Sequence, residues 1–135
     1  MSLETTMNAL NIVLNFILGL FAIIFLLIGL GWLVAPSLVG RQLGMPLLDG
    51  VGLSTQIGDL ASLFLTLALC ILLALKSGIR IWFYPAIMLL SLTAVGRVLA
   101  WALHGAALAL DLIGIEVVVA SLLFFASRRE APNEV

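Results

Sequence analysis

Residues 92–104 read LTAVGRVLAWALH. This stretch places one arginine, Arg97, inside an apolar run of residues 81–103 that is long enough to cross a lipid bilayer. A charged side chain at membrane depth costs roughly 3 kcal/mol or more unless it finds a partner or water. Arg97 therefore predicts a polar site inside a membrane protein, and the partners of Arg97 become the main question.

The composition of the whole chain agrees with a membrane protein. Of its 135 residues, 64% are hydrophobic and 10% are charged, and the mean hydropathy is +1.30, so we expect an integral membrane protein surrounded by membrane lipids. The net charge of -1 provides no basic surface, which excludes nucleic acid as a partner. The single cysteine, Cys70, lies in an apolar run and cannot form a disulfide within the chain, so no redox pair, metal site or cofactor is expected.

Four apolar segments, at about residues 11–34, 55–75, 81–103 and 108–126, come close to or exceed the roughly 20 residues that a membrane-spanning helix needs. The first has no basic region before it and is too long for a secretory signal, so we expect a retained helix. The last two segments are joined by a very short connector and should be antiparallel neighbours. The sequence predicts an all-α fold, an integral membrane four-helix bundle forming a single domain of residues 1–135.

The basic residues predict how the bundle is oriented. Lys76 and Arg80 follow the second segment and Arg128 and Arg129 follow the fourth, whereas Arg41 alone lies at the opposite face. Cytoplasmic loops carry the excess of lysine and arginine in membrane proteins. We therefore expect antiparallel up-down helices with both termini cytoplasmic, in a multi-pass protein of the cell membrane, the inner membrane of a bacterium.

The connection of residues 35–53, APSLVGRQLGMPLLDGVGL, contains two prolines and several glycines among apolar residues. This composition interrupts helices without being strongly hydrophilic. It predicts a partly membrane-embedded lid or a short interfacial helix across the mouth of the bundle. A passive connector is the alternative.

Two carboxylates are candidate partners for Arg97. Asp59, Arg97 and Glu116 lie roughly 8, 10 and 12 Å below the outer ends of their three segments, given a helical rise of about 1.5 Å per residue. An arginine can donate hydrogen bonds to two carboxylates, and each carboxylate would otherwise be unpaired in a medium of low dielectric constant. We predict that these three residues form one charged cluster in the outer half of the bundle.

Other polar and aromatic residues share faces with this cluster. Gln56 lies one helical turn before Asp59 on the same face. Trp101 and His104 follow Arg97 at steps of four and three residues, so Trp101 is expected to form a wall and His104 an entrance to the same site. His104 could equally be an ordinary histidine at the membrane interface.

The first segment carries two further expectations. Its asparagines, Asn8, Asn11 and Asn15, recur at steps of three and four residues, and the same face continues to Gly19 and Ala22. This pattern predicts a stripe of polar and then small residues that faces the other helices. Trp32 falls near the far end of the segment, where an amphipathic ring prefers the membrane interface.

The pattern of Gly96-Arg97, a later Glu116, an earlier Asp59 and the loop APSLVGRQLGMP resembles a bacterial family of small four-helix membrane proteins of unknown function, related to the DoxX-like group. The resemblance covers nearly the whole chain. It implies a four-helix bundle with a polar core built on Arg97 and Glu116. It implies no established reaction.

These observations leave several functions open. The charged cluster, with Gln56, Trp101 and His104, could bind the polar head of a small amphipathic or lipid-like molecule. Alternatively, the buried charges could only fix the packing of the helices in a structural protein. A membrane enzyme using Glu116 or Asp59 as general acid or base is less supported, because no catalytic motif accompanies the carboxylates. A small transporter is also less supported, because the first segment has asparagines and no acidic residue. The small residues of the first segment are compatible with a homo-oligomer.

Overall fold

A computed structural model describes residues 2–129, and this part of the chain is helical without a β-strand. The helices are α1 (Leu3–Val34), α2 (Pro36–Gln42), α3 (Gly50–Ser77), α4 (Phe83–His104) and α5 (Leu110–Arg128), with a single 3-10 turn, Arg80–Trp82, before α4. Residue 1 and residues 130–135 of the predicted single domain lie outside the described range.

Four of the described helices are long and apolar enough to cross a membrane, with the 3-10 turn counted as part of α4. The prediction of an all-helical protein is therefore confirmed, and four of its helices have the length and composition of membrane-spanning segments. Helix α1 begins eight residues, and α3 five residues, before the predicted starts.

Local sequence explains where the helices begin and end. The hydroxyl of Ser2 accepts a hydrogen bond of 3.3 Å from the backbone N–H of Thr5, which caps the start of α1. Pro36 follows α1 and begins α2, because proline is tolerated in the first turn of a helix. Helices α3 and α4 end at Gly78 and Gly105, which have φ values of 70° and 67°. Only glycine adopts this left-handed conformation without strain, so the chain can reverse sharply at both positions.

The four long helices pack as two pairs that also contact each other. Helix α1 packs along α3 and α4 packs along α5, with additional contacts between α3 and α4 and between α1 and α5. The main core takes apolar side chains from all four. It comprises Leu14, Leu18, Ala22 and Phe25 of α1, Leu67, Ala68, Cys70, Ile71 and Ala74 of α3, Phe83, Ala86 and Leu90 of α4, and Val119, Ala120, Leu123 and Ala126 of α5.

A second, smaller core lies where α2 folds back over the end of α1 and α3. Trp32, Val39 and Ala61 are buried there, one from each of these helices. Trp32 is fully buried, so its predicted place at the membrane interface was wrong. Because α2 covers this end of α1, the indole ring packs inside the protein, and its Nε1 atom has no hydrogen-bond partner among residues 2–129.

The asparagine stripe of the first segment does not face the other helices. Asn8 and Asn15 are exposed, and Asn11 is only partly buried. The buried residues of α1 begin at Leu14, so Asn8 and Asn11 precede the packed part of the helix. Asn15 lies about 100° around the helix axis from Leu14. The prediction was therefore wrong for the asparagines, whereas Ala22 of the same stripe is buried in the main core.

Candidate functional site

An ion pair joins α4 to α5. Nε of Arg97 donates a hydrogen bond of 2.8 Å to Oε1 of Glu116. Arg97 lies two turns before the end of α4, and Glu116 less than two turns after the start of α5. Both residues therefore lie at a similar depth, about 10 Å from the connector of residues 105–109. Their association was expected from the sequence on the basis of this equal depth.

The ion pair leaves hydrogen-bonding capacity unused. Glu116 is 8% exposed, and its second carboxylate oxygen, Oε2, is buried without a partner among the described residues. The side chain of Arg97 is 35% exposed, and its two Nη nitrogens donate no hydrogen bond within residues 2–129. Buried polar atoms are nearly always hydrogen-bonded in folded proteins, so an unpartnered carboxylate oxygen beside free guanidinium donors is unusual.

Asp59 does not join this pair. Its side chain is exposed, and the structure of residues 2–129 gives it no ion-pair partner. The reason is the pairing of the helices: α3 packs more extensively against α1, whereas Arg97 and Glu116 lie where α4 and α5 face each other. In the structure the predicted cluster of three charges is a pair, with Asp59 separate from it.

Gln56 holds the connection between α2 and α3. Its amide Nε2 donates a hydrogen bond of 3.1 Å to the carbonyl oxygen of Pro46, and its Oε1 accepts one of 3.0 Å from the backbone N–H of Leu48. Gln56 is 9% exposed, so both bonds are partly shielded from solvent. Gln56 therefore fastens the loop to α3 and makes no hydrogen bond to Arg97 or Glu116.

Part of the segment of residues 35–53 forms a short helix, α2, in agreement with the expected short helix. Its last four residues belong to α3. Helix α2 packs on α1, and the segment after it is tied to α3 through Gln56. The loop thus covers the end of the α1 and α3 pair. The neighbouring connector between α4 and α5 is exposed.

The packed face of α4 ends where the ion pair begins. At steps of three and four residues this face carries first four buried apolar residues and then Arg97, Trp101 and His104. Trp101 is 50% exposed and His104 is also exposed. The four buried residues are Phe83, Ala86, Leu90 and Ala94.

Helix α5 changes in the same way at Glu116. Its buried residues run from Glu116 towards the C-terminal end of the helix, and its first six residues, 110–115, contribute none. Neither core contains a residue from α4 after Leu90 or from α5 before Val119. We call the unpacked part of the two helices, residues 97–104 of α4 and 110–115 of α5, the open end. The ion pair lies at the boundary between the open end and the packed core.

Two shallow apolar grooves lie along the seam of α4 and α5. Their volumes are about 510 and 310 Å³, and Ala94, Val95 and Val117 line both. Neither groove is lined by Arg97, Glu116 or Trp101. The sequence does not reveal these grooves, because their lining residues come from two helices and the pattern of one helix does not show how it meets the other.

The fold and the site define a class of protein: a small helical protein with four candidate membrane spans and, within residues 2–129, a single ion pair, which joins two of those spans. Comparisons of the chain with protein-family models, with curated proteins and with solved structures found no match. In the described part of the chain, no three histidine, cysteine, aspartate or glutamate side chains gather in a way that could hold a metal ion.

Proposed function

We propose that this protein is a multi-pass membrane protein that binds a small amphipathic or lipid-like molecule at the open end, with the polar head of that molecule at Arg97 and Glu116. One observation carries the proposal: Oε2 of Glu116 is buried and unpartnered in the part of the chain described, next to an arginine with free donors. Leaving a buried polar atom without a hydrogen-bond partner costs about 1–3 kcal/mol, and the cost is greater for a charged group.

A bound head group would first satisfy Arg97, whose side chain is partly exposed and whose Nη nitrogens can donate hydrogen bonds to oxygen atoms. Oε2 of Glu116 is closed off in this structure, so it would accept a hydrogen bond from the head group once the carboxylate turns towards the open end. Trp101, half exposed on the same face of α4, is an amphipathic aromatic against which an apolar chain can pack.

The proposal includes an orientation of the protein in the membrane. We propose antiparallel up-down helices with both termini cytoplasmic, in a bacterial inner membrane, so that the open end lies in the outer half of the bilayer. Four basic residues near the opposite ends of the helices, Lys76, Arg80, Arg128 and Arg129, support this orientation. A relationship to the DoxX-like group belongs to the same proposal.

Thermal unfolding of purified protein in the presence of lipids, quinones and amphipathic cations tests the binding function. We expect at least one compound to raise the melting temperature of the wild type and to lose this effect in Glu116→Gln. Asp59→Asn is the matched control, because Asp59 is a carboxylate of α3 outside the ion pair. A screen in which no compound shifts the melting temperature of the wild type would overturn the proposal.

The second candidate function is structural. The bond between Arg97 and Glu116 connects two helices, and a buried ion pair can fix how helices pack together. If this is its role, replacing both residues by leucine should restore a stable bundle that still binds every compound the wild type binds. Loss of binding in a stably folded double variant would exclude a purely structural role.

A further inference from the structure

We infer that a second copy of this chain docks on an exposed polar stripe of α3, and that Asp59 of each copy pairs with Arg97 of the other. The inference goes beyond the proposed ligand binding, because the dimer forms whether or not a ligand is bound. It requires the four long helices to cross a membrane, for which they have the length and composition.

The polar stripe lies on a face of α3 that points away from α1. Asp59, Ser62 and Thr66 follow one another at steps of three and four residues, so they share one face of the helix. All three are exposed. Asp59 lies about 160° around the helix axis from Ala61, which is buried in the same small core as Trp32 of α1. We call these three exposed residues the α3 stripe.

The carboxylate in the α3 stripe has no partner in its own chain. Asp59 lies nine residues after the start of α3, about 14 Å along a helix that is apolar enough to cross a membrane. It forms no ion pair within residues 2–129. A charge that faces lipid at such a depth is costly, and acidic side chains within membrane spans almost always face protein or water. The α3 stripe is therefore better suited to another protein surface than to lipid.

Arg97 supplies the complementary charge. Its Nε bonds to Glu116, whereas its two Nη nitrogens donate no hydrogen bond within residues 2–129. These nitrogens are not among the unpartnered atoms that are closed off from solvent in that range. Because Glu116 is only 8% exposed, the accessible part of the ion pair is the guanidinium. A carboxylate from another copy can therefore approach it and accept two hydrogen bonds.

The two residues lie at similar depths. Helices α3 and α4 are consecutive and pack together, so the start of α3 and the end of α4 lie at one end of the bundle. Asp59 is about 14 Å and Arg97 about 10 Å from these helix ends. The long, flexible side chain of arginine can cover the difference.

Symmetry favours a second copy as the occupant. A two-fold axis along the membrane normal keeps every residue at its own depth in both copies, and it makes the contact reciprocal, from Asp59 to Arg97 and from Arg97 to Asp59. One chain thus supplies both members of the complementary pair. An unrelated partner would have to supply a matching charge of its own at each position.

The dimer contact leaves donors for a ligand. A guanidinium has five N–H groups, of which Glu116 uses the one on Nε. If the carboxylate of the second copy uses two, two remain for the polar head of a ligand. Dimer formation and ligand binding can therefore be measured separately.

Association of the full-length protein in lipid vesicles tests the inference. Copies labelled at the N-terminus with a donor or an acceptor fluorophore are diluted stepwise in phosphatidylcholine vesicles, and energy transfer reports the dimer. We expect the wild type to associate, and Asp59→Asn to associate at least about tenfold more weakly, which corresponds to about 1.4 kcal/mol. Asp49→Asn is the matched control and should associate like the wild type. Asp49 is an exposed carboxylate that directly precedes α3 and forms no ion pair in the described part of the chain.

A mixture of two variants tests the pairing itself. Asp59→Asn and Arg97→Gln each lack both intermolecular ion pairs when they associate with themselves. A dimer of one copy of each regains one pair, from Arg97 of the first to Asp59 of the second, so the mixture should associate more tightly than either variant alone. If Arg97→Gln fails to fold, the comparison of Asp59→Asn with Asp49→Asn decides the question, because neither change touches the bond between Arg97 and Glu116.

Three results would overturn the inference. The first is a wild type that stays monomeric at every dilution, and the second is Asp59→Asn that associates as tightly as the wild type. The third is a mixture that associates no more tightly than its separate components. None of these results bears on ligand binding, which the melting temperatures test and in which Asp59→Asn should keep the shift seen in the wild type.

Discussion

One hydrogen bond, from Nε of Arg97 to Oε1 of Glu116 over 2.8 Å, connects α4 and α5 at the charged site. The two partners are in unequal surroundings: the side chain of Glu116 is 11% exposed, and that of Arg97 is 35% exposed. Removing one partner therefore does not have the same consequence as removing the other. An isolated glutamate would be left buried, whereas an isolated arginine could extend its flexible chain towards solvent or the membrane interface.

Arg97→Ala should destabilise the fold more than Glu116→Ala. Breaking a buried pair leaves an uncompensated charge. For Arg97→Ala we expect the free energy of unfolding to fall by up to about 3 kcal/mol. This value is the lower end of the range for buried pairs, because Arg97 is partly exposed. The double variant should lose less than the sum of the two single variants. Thermal or denaturant unfolding in detergent gives the three values. Additive losses would show that the two side chains are not coupled.

Gln56→Leu should release the loop between α2 and α3. The substitution removes both hydrogen bonds to Pro46 and Leu48, and we expect a loss of about 1–2 kcal/mol with faster hydrogen exchange at the N–H of Leu48. Thr55→Val is the control, since the hydroxyl of Thr55 bonds only to the carbonyl of Val51 in the preceding turn. Unchanged exchange at Leu48 in Gln56→Leu would contradict the role of Gln56 as the anchor of the loop.

The sequence contained enough information to predict the helices and the ion pair. Runs of about 20 apolar residues identify membrane-spanning helices because the thickness of the bilayer fixes their length. The connector of residues 105–109 is short, so equal distances from it bring Arg97 and Glu116 to the same depth. Depth can be counted along a sequence, and that count correctly paired these two residues.

The sequence did not contain enough information to determine which helices pack most closely. Asp59 has a similar calculated depth, yet α3 packs mainly on α1, and no property of the Asp59 stretch reveals that preference. The burial of Trp32 depends on contacts between α1 and α2 that only small residues permit: a Cβ at Gly31 would lie 2.6 Å from Cγ2 of Val39. Such long-range fits depend on both partners at once, and one helical pattern read by itself does not show them.

Gly29→Ala should weaken the packing of α1 against α3. A Cβ at position 29 would lie 2.8 Å from Cγ of Leu65 and 3.0 Å from its backbone nitrogen. The backbone atom cannot move aside as a side chain can, so the helices must separate, at a cost of about 1–3 kcal/mol. Gly58→Ala is the matched control on α3, where a Cβ would meet nothing within 4 Å.

The control should be neutral or stabilising by up to about 1 kcal/mol, because alanine favours the helix more than glycine does. Unfolding of the two variants in the same detergent provides the comparison. Equal stability of Gly29→Ala and Gly58→Ala would contradict the close contact between α1 and α3.

The proposed orientation can be tested with two single cysteines. Asn8 and Ala106 are both exposed, one in the first turns of α1 and the other in the connector after α4. If the termini are cytoplasmic, a membrane-impermeant maleimide should label Ala106→Cys in intact cells and Asn8→Cys only after lysis. The native Cys70 is buried in the core, so its own labelling should be low. Labelling of Asn8→Cys alone in intact cells would reverse the orientation, and labelling of both would contradict the arrangement of four antiparallel spans.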